Sequence, residues 1–482
     1  MIKKKQHNFI NGNFIIPSSN DYLTNFNPHT GQKISSFVNS NKNDVNMAVI
    51  AAKSAFEKWS SFSPQVRGDF LFKIAFEMDK NKKALAKCVS IETGKSINDA
   101  VGEVEASIKQ ANYFAGEGAR FFSTTLTSSN QHKQTFSLRH PLGVAACIVP
   151  ANTPIANISW KIFPALISGN TVILKSSEDA PELANLVAAI VKDCKLPKGV
   201  LNVIHGDGNT GSILVNNPSI SVVSFTGSTK VGKEIHKACS DRLTRVSLEL
   251  GGKNPFIICD DADLENASNW ALLSAFSNAG QRCASASRIL VHENVYDNFK
   301  NLFIKKTSKL KLGIASDSDI GPLIREDHLN NVISIINSAI DDGGKLHAGG
   351  KRAMNKGLTK GYYMQPTIIS GLPNLHTINQ TELFAPICSL IPFKDNKDAI
   401  NLAHESDFGL TSAVHTSSVS RSVEYFKELR FGVININAGT YGSEYNMPFG
   451  GFNLSGNGTR EPGQNALDVY TELKNISLTQ NA

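Results

Sequence analysis

Long apolar runs are missing from this sequence of 482 residues. A membrane-spanning helix needs about 20 consecutive apolar residues, and the longest apolar segments, such as residues 144–149, end earlier at a proline or a polar residue. The basic N-terminus, residues 1–7, is followed by Asn-rich sequence instead of the apolar core of a signal peptide. The sequence therefore predicts a cytoplasmic protein with no membrane contact.

Cysteine is scarce, and its spacing excludes two kinds of site. The number of cysteines is odd, and no two form a CxxC pair, so neither a disulfide framework nor a zinc site is expected, and no other metal is expected either. The seven residues are Cys88, Cys147, Cys194, Cys239, Cys259, Cys283 and Cys388.

Low-complexity tracts and a strong excess of one charge are missing as well. A content of 41% hydrophobic and 19% charged residues excludes disordered, collagen-like and coiled-coil chains. The length predicts two or three domains of about 100–200 residues each. The 49 basic residues only slightly outnumber the 42 acidic ones, and the Lys clusters near 3–5, 80–87 and 305–311 alternate with apolar residues. These clusters indicate solvated helix faces, and no nucleic-acid partner is expected.

The pattern of apolar residues divides the chain into a helical part and two α/β parts. Residues 43–118 show helical periodicity, and short β-rich runs then alternate with helical stretches, which predicts βαβ units, a parallel sheet and a dinucleotide-binding fold. The strands are expected at 144–149, 171–174, 201–204, 222–225 and 245–250, and the helices at 155–167, 181–193, 209–215 and 229–239. A second α/β stretch covers about 251–450.

Two shorter segments are expected to be appendages. Residues 121–139 read as a hairpin that turns at 128–130, and residues 467–478 show the alternation of a strand. A lone hairpin is marginally stable in water. Both segments are therefore expected to pair with another chain.

Two glycine-rich loops follow predicted strands. Residues 206–211 match the G-x-G-x-x-G pattern and precede a helix, but no acidic residue ends a strand about 20 residues later. Residues 227–232 also lie between a strand and a helix, where backbone N–H groups bind a pyrophosphate well. An ordinary turn explains either loop equally well.

Lys175 and Glu178 end a predicted strand at the edge where open α/β sheets bind cofactors. A carboxylate at this position accepts hydrogen bonds from both ribose hydroxyls of an adenosine, and a lysine donates to the same sugar. A surface ion pair is the alternative interpretation.

Cys283 differs from the other cysteines because its neighbours are polar or small, including Arg282 and Ser285. An inert core position is the common role of a free cysteine. A thiol beside an arginine in a polar loop is instead expected to have a lowered pKa and to react as a thiolate. Cys283 is therefore the candidate nucleophile.

Glu249 places a carboxylate inside an otherwise apolar strand, where its burial is costly without a partner or a task. Burial raises the pKa of a carboxyl group toward the range of a general base. A buried structural ion pair is the competing interpretation.

Taken together, these segments resemble the aldehyde dehydrogenase superfamily over essentially the whole chain. The matching motifs occur in the family's order, at residues 150–154, 175–178, 225–232, 248–253, 280–283, 382–386 and 448–451. The sequence departs from common family residues at Ala151, Ser176 and Ala385. The first change removes an aromatic side chain and would widen the substrate tunnel, and the other two affect local loop geometry.

The resemblance implies an α/β fold with three parts. They are a Rossmann-type cofactor domain (1–120 and 140–250), an α/β catalytic domain (251–450) and a small β oligomerisation arm (121–139 and 462–482) that forms a homodimer or homotetramer. It also implies that Cys283 is the nucleophile, that Asn152 and the Cys283 backbone N–H form an oxyanion hole, and that Glu249 is the base. The implied cofactor residues are Lys175 and Glu178 at the adenosine ribose, Ser228 at the pyrophosphate, Glu382 and Phe384 at the nicotinamide, and Gly208, Gly227, Gly232 and Leu250 around them.

The expected function is oxidation of a small-molecule aldehyde to the carboxylic acid with NAD(P), through a thiohemiacetal and a thioester. NAD is expected over NADP because a carboxylate at Glu178 would repel a 2′-phosphate. Two alternatives are a CoA-acylating relative, which typically lacks the residue at Glu249, and a non-catalytic binding or structural protein. The sequence does not identify the aldehyde: Arg282 fits an anionic semialdehyde, but a local carboxylate would satisfy it equally well.

Overall fold

The computed structural model describes residues 5–17, 20–355 and 357–480. Four short pieces of the chain lie outside the described residues: 1–4, 18–19, 356 and 481–482. They fall within the predicted domains, and the first of them contains most of the basic N-terminus. Within the described part of the chain, each helix is too short or too polar to cross a bilayer.

The N-terminal part consists of short strands followed by long helices. The strands are β1 (Lys5–Gln6), β2 (Asn8–Ile10), β3 (Asn13–Ile15), β4 (Tyr22–Phe26) and β5 (Lys33–Val38). The helices are α1 (Lys42–Ser61), α2 (Pro64–Lys80), α3 (Lys82–Thr93) and α4 (Ile97–Glu117). The helical region predicted at 43–118 is thus confirmed, with breaks at the capping residues Ser63, Asn81 and Ser96.

The next part begins with the hairpin strands β6 (Thr125–Leu126) and β7 (Lys133–Pro141) and continues as alternating strands and helices. These are β8 (Val144–Ile148), α5 (Pro154–Ile167), β9 (Thr171–Lys175), α6 (Pro181–Asp193), β10 (Leu201–Ile204), α7 (Gly208–Val215), β11 (Ile220–Thr226), α8 (Thr229–Ser240) and β12 (Arg245–Glu249). The bounds agree with the predicted ones to within two residues. The strands could be predicted because buried strands appear in the sequence as short runs with few polar residues.

The first sheet has the strand order β12–β11–β8–β9–β10–β2–β3. Strands β8 to β12 are parallel, and β2 and β3 add an antiparallel edge. Helices α5 and α6, backed by α2, α3 and α4, cover one face, and α1, α7 and α8 cover the other. Helices on both faces of a parallel sheet are the doubly wound arrangement that the sequence predicted.

The second α/β stretch follows directly. Its elements are β13 (Asn254–Ile258), α9 (Leu264–Phe276), β14 (Ala286–His292), α10 (Tyr296–Thr307), α11 (Glu326–Asp341), β15 (Lys345–Ala348), β16 (Thr367–Ser370), α12 (Thr377–Gln380), β17 (Ile387–Phe393), α13 (Asn396–His404), β18 (Phe408–Gly409), β19 (Thr411–His415), α14 (Val419–Glu428) and β20 (Val433–Ile436). Its sheet has the order β15–β16–β17–β14–β13–β19–β20 and is parallel except for β15. Separate apolar cores lie on its two faces. After this stretch come β21 (Phe452–Asn453), α15 (Ala466–Tyr470) and β22 (Thr471–Thr479).

The appendages differ from their prediction in two ways. Residues 466–470 form helix α15 instead of the start of a strand, because Ala466, Leu467, Val469 and Tyr470 are all buried, which suits a helix and not an alternating strand. Strand β22 then pairs along the whole length of β7, so the hairpin finds its partner within its own chain. The resulting sheet has the order β22–β7–β6.

Candidate active site and cofactor cleft

A cleft of about 640 Å³ opens at the carboxyl ends of β8, β9 and β11. The strand order reverses at β8, since β9 and β10 lie on one side of it and β11 and β12 on the other. Open α/β sheets bind ligands at such a reversal. The cleft is lined by residues 148–152 after β8, Lys175 and residues 177–179 after β9, parts of α7 and α8, and Gln281, Ile324, Arg325, His328 and Phe384 from the second α/β stretch.

The two glycine loops both reach this cleft. Gly227 and Ser228 line it where α8 begins, and the Ser228 side chain caps that helix by accepting from the Val231 N–H at 3.4 Å. Gly208 lines it at the start of α7. The helix dipole and free N–H groups of α8 therefore face the cleft.

Gly232 and Leu250 lie behind the cleft wall. A Cβ atom at Gly232 would come within 2.5 Å of the Leu250 side chain, so the glycine allows α8 to pack closely on the segment after β12. The structure thus brings these two predicted cofactor residues to each other, and they support the loop that carries Ser228.

Lys175 and Glu178 line the cleft and form an ion pair with each other, in which Lys175 is buried. The Lys175 Nζ lies 3.2 Å from Glu178 Oε1. Arg325, which the sequence analysis missed, approaches from the second α/β stretch, with its Nη2 3.6 Å from Glu178 Oε2 and its Nε 2.9 Å from Asp179. A carboxylate with two cations beside it therefore marks this end of the cleft.

The loop before Cys283 has an unusual backbone. Asn278, Ala279 and Gly280 have φ angles of 53°, 54° and 67°, in the left-handed region. A Cβ atom at Gly280 would lie 2.1 Å from the carbonyl oxygen of Ala385, so only glycine fits this approach. Three such residues in succession indicate a backbone that its surroundings hold in place, as is common at functional sites.

Cys283 is half-buried, whereas the other six cysteines are buried. The lowered pKa predicted for its thiol is wrong. Removal from water, followed by the negative charges of Glu382 and Glu249, raises the pKa of Cys283 to about 12. Arg282 does not offset this effect because its guanidinium lies over the Tyr441 ring, 4.6 Å from the ring centroid.

Asn152 is buried and lies against the Cys283 loop. Its side-chain Nδ2 donates to the carbonyl of Gln281 at 3.0 Å. Its own carbonyl accepts from the Lys95 Nζ at 2.8 Å and from the Asn278 side chain at 3.0 Å. The amide that the resemblance assigns to the oxyanion hole is therefore bonded to the Cys283 loop, at a carbonyl two residues before the thiol.

Glu249 ends β12 and is 3% exposed. Among the described residues, neither of its carboxylate oxygens has a hydrogen-bond partner, so the structure does not support the interpretation as a structural ion pair. Burial and the nearby charge of Glu461 raise the pKa of Glu249 well above its ordinary value, with Lys161 and Arg460 acting in the opposite direction. Such a carboxyl group is suited to proton transfer near neutral pH.

Glu382 and Phe384 follow α12 and lie beside Arg282, around one small cavity. Glu382 accepts from the Gly252 N–H at 3.0 Å, and burial raises the pKa of its carboxyl group to about 7. Phe384 lines the cleft with a φ of 51°, and its carbonyl accepts from His328 at 3.1 Å. Phe384 therefore belongs to the cleft wall, whereas Glu382 lies outside that wall and its charge acts on Cys283.

Sequence reasoning missed a buried polar network behind Glu249. Lys161 and Glu461 are fully buried, 2.8 Å apart, and Glu461 also accepts from Ser224 at 2.7 Å and Ser247 at 3.1 Å. The one available signal was a lysine within the apolar run of α5. Its partner lies 300 residues away in sequence, and no local pattern pairs the two.

Alkylation of free enzyme with iodoacetamide is expected to modify Cys283 first, because the other thiols are buried. Since the raised pKa keeps the thiol protonated, the rate is expected to increase about tenfold per pH unit from pH 7 to 10. A lowered pKa would instead give a plateau in this range. Peptide mapping checks the position, and rapid labelling of another cysteine with Cys283 unmodified would contradict the assignment.

Comparison with known proteins agrees with this geometry. Residues 15–476 match the model of the aldehyde dehydrogenase family. The chain is 35% identical to the alpha-ketoglutaric semialdehyde dehydrogenase of Bacillus subtilis over 97% of both chains, and 37% identical to an aldehyde dehydrogenase of Davidiella tassiana over 98% of this chain and 94% of that protein. The betaine aldehyde dehydrogenase of Staphylococcus aureus, solved in complex with NAD+, superposes with a TM-score of 0.95 at 32% identity, over 98% of this chain and 94% of that one. The chain therefore belongs to the aldehyde dehydrogenase family, an enzyme family of NAD(P)-dependent oxidoreductases, as its motifs predicted.

Proposed function

We propose that this enzyme oxidises an aldehyde to the carboxylic acid with NAD, through a thioester on Cys283 that water hydrolyses. One observation carries the proposal: the partly buried Cys283 thiol follows a loop that contacts Asn152 in the cleft wall, and it lies within the electrostatic reach of a buried carboxylate, Glu249, that has no partner among the described residues. Each group has the chemistry that one step of this reaction requires.

The cleft fits a dinucleotide. Lys175 and Glu178 suit a ribose, the beginning of α8 at Gly227 and Ser228 suits a pyrophosphate, and Phe384 lies where the cleft approaches the thiol. The absence of a side chain at Gly227 matters here, because a Cβ atom would lie 2.4 Å from the Phe225 ring. When bound, the nicotinamide supplies the hydride acceptor.

Cys283 begins the reaction by adding to the aldehyde carbon. Glu249 has a raised pKa and takes the thiol proton, and the new S–C bond converts the carbonyl oxygen into an oxyanion. The Asn152 amide and the Cys283 backbone N–H donate to this oxygen, and each such donor is worth about 3–4 kcal/mol in the transition state. Loss of hydride from the same carbon leaves the thioester.

Glu249 then serves the second half of the reaction. The proton taken from the thiol first leaves Glu249 for the solvent. The Glu249 carboxylate then takes a proton from a water molecule, the resulting hydroxide adds to the thioester carbon, and the Cys283 thiolate leaves and recovers that proton. The presence of this carboxylate favours hydrolysis over transfer to CoA. The presence of Cys283, Asn152 and Glu249 together argues against a non-catalytic member of the fold.

Glu249→Gln keeps the size of the side chain but removes the base. Acylation and hydride transfer need no water, so the variant is expected to give a pre-steady-state burst of NADH while steady turnover falls by about 10²–10⁴. Stopped-flow absorbance with and without CoA measures both phases. Because Glu249 also takes the proton of Cys283, the burst is expected to be slower than in the unmodified enzyme and to recover at higher pH. A folded variant with near-normal turnover would refute the role.

Glu178 is proposed to select NAD, because its carboxylate repels a 2′-phosphate. Glu178→Gln removes this charge and leaves Lys175 and Arg325 beside the cleft, so kcat/KM for NADP relative to NAD is expected to rise by about tenfold or more. Glu265→Gln, on the exposed side of α9, is the matched control. Equal kcat/KM for both cofactors in the unmodified enzyme would contradict the proposal.

The substrate is proposed to be a semialdehyde with a carboxylate group. Arg282 adjoins Cys283 in sequence, and its side chain has neither an ion pair nor a hydrogen bond among the described residues; its buried Nε is left without a partner. The described residues therefore contain no carboxylate paired with the Arg282 guanidinium. The semialdehyde dehydrogenase of Bacillus subtilis among the relatives supports the same class.

Arg282→Met is therefore expected to raise KM for succinic semialdehyde by about 10- to 100-fold, which corresponds to the 1.5–3 kcal/mol of a hydrogen bond to a charged group. The KM for butanal, which has the same chain length without the carboxylate, is expected to change less than threefold. An equal loss with both substrates would show that Arg282 only supports the loop.

A homodimer or homotetramer is proposed from the arm. Strand β22 pairs only with β7 among the described residues, and Leu473, Leu478 and Leu126 on this sheet are 64%, 54% and 69% exposed. An open edge with apolar side chains is a typical protein interface.

The proposed location is the cytoplasm. All seven cysteines are free thiols, and a reducing compartment such as the cytoplasm keeps thiols in this state.

Light scattering is expected to give twice or four times the chain mass. Replacing Leu473 and Leu478 together by Lys places charge in the proposed interface and is expected to reduce this mass. Leu243→Lys, at a position that is 91% exposed outside the arm, is the control and is expected to leave it unchanged. A monomeric unmodified protein would contradict the proposal.

A further inference from the structure

A buried ion pair outside the cleft lies against the backbone of Asn152. Lys95, in the loop between α3 and α4, pairs with Glu103 on α4, and their side chains are only 2% and 6% exposed. Neither residue lines the cleft. Burying two charges costs several kcal/mol per ion, which good geometry only partly recovers, so such a pair contributes little net stability compared with an apolar one.

The contacts of the pair show what it holds in place. The Lys95 Nζ donates to the Asn152 carbonyl at 2.8 Å. Glu103 Oε1 accepts from the backbone N–H groups of Ile155 and Ala156 at 3.0 and 3.3 Å. The two side chains therefore hold the peptide that follows Asn152 and the first turn of α5 in one fixed arrangement.

Helix α5 depends on this arrangement because it lacks a cap of its own. The residue at its N-cap position, Thr153, makes no capping hydrogen bond with its side chain, and Pro154 follows it. The first N–H groups of a helix need an acceptor from elsewhere, and a carboxylate there is also favoured by the helix dipole. Glu103 supplies both from a different helix.

We propose that Lys95 and Glu103 are a positioning pair that fixes the Asn152 amide for stabilisation of the oxyanion on Cys283; this inference rests on the function proposed above. The pair touches neither thiol nor substrate and acts through Asn152. The side chain of Asn152 donates to Gln281 at 3.0 Å, so the amide is held from both ends: its backbone by Lys95 and its side chain by the Cys283 loop. Loosening the backbone end misplaces the donor.

The test uses p-nitrophenyl acetate, an activated ester that acylates a thiol through a tetrahedral oxyanion and requires no cofactor. Asn152→Ala is expected to slow the release of p-nitrophenolate by about 10²–10³, the usual cost of one oxyanion donor. Lys95→Met is expected to slow it by about 10- to 100-fold. Lys306→Met, which removes a partly buried lysine that pairs with Glu265 and does not line the cleft, is the matched control.

The deciding comparison is the double variant Lys95→Met/Asn152→Ala. If Lys95 acts through Asn152, the double variant is as slow as Asn152→Ala alone. If the two effects multiply, Lys95 acts by another route and the inference is wrong. An unchanged rate in folded Lys95→Met also overturns it.

Two further measurements separate this inference from a loss of folding and from the proposed function. Lys95→Met/Glu103→Gln removes both charges, so it leaves no lone buried ion and keeps an acceptor for α5; it is expected to fold and still acylate about tenfold or more slowly. Recovery of the normal rate in this variant would overturn the inference. The affinity for NAD, measured by fluorescence titration, is expected to stay within twofold. An unmodified enzyme that reacts with the ester but oxidises no aldehyde would refute the proposed function and leave the positioning result intact.

Discussion

Exclusion of water from the space around Cys283 is the constraint on which the chemistry of this site depends. The same burial raises the pKa of the Cys283 thiol to about 12, of the Glu382 carboxyl to about 7 and of Glu249 well above its ordinary value. In such surroundings a fixed amide donor stabilises an oxyanion far better than it does in water. Low exposure to water also strengthens the repulsion between negative charges. Each ionised group therefore raises the pKa of its acidic neighbours, and few of these groups are ionised at the same time.

The fold maintains this exclusion by packing three distant parts of the chain together. Glu249 comes from the end of β12 in the first sheet, Cys283 from the loop before β14 in the second, and residues 448–462 cover Glu249 from the C-terminal side. The buried pair of Lys161 and Glu461 fastens that last segment to the first sheet through Ser224 and Ser247. A polar network thus holds the covering segment over a carboxylate that has no partner of its own among the described residues.

The sequence predicted the regular elements well and the electrostatics poorly. Strands β8 to β12 and helices α5 to α8 were legible because local periodicity defines them, and Glu249 was noticeable as a carboxylate in an apolar strand. The pKa of Cys283 was predicted in the wrong direction, since adjacency to Arg282 in sequence does not reveal that the guanidinium stacks on Tyr441. Lys95, Glu103 and Arg325 were missed because their importance comes from contacts between residues distant in sequence.

The raised pKa values of Glu249 and Cys283 are compatible with one another and with the proposed order of steps. A carboxylate with an ordinary pKa would be too weak a base to accept the thiol proton. The free-energy cost of moving the proton from sulfur to the carboxylate grows by about 1.4 kcal/mol for each unit by which the thiol pKa exceeds the carboxyl pKa. Burial raises both, so it keeps that difference smaller than exposure of the base would. Formation of the thioester removes the thiolate charge next to Glu249, which favours ionisation of the carboxyl group at the stage where a water molecule must be activated. The one environment therefore suits Glu249 to accept a proton first from sulfur and later from water.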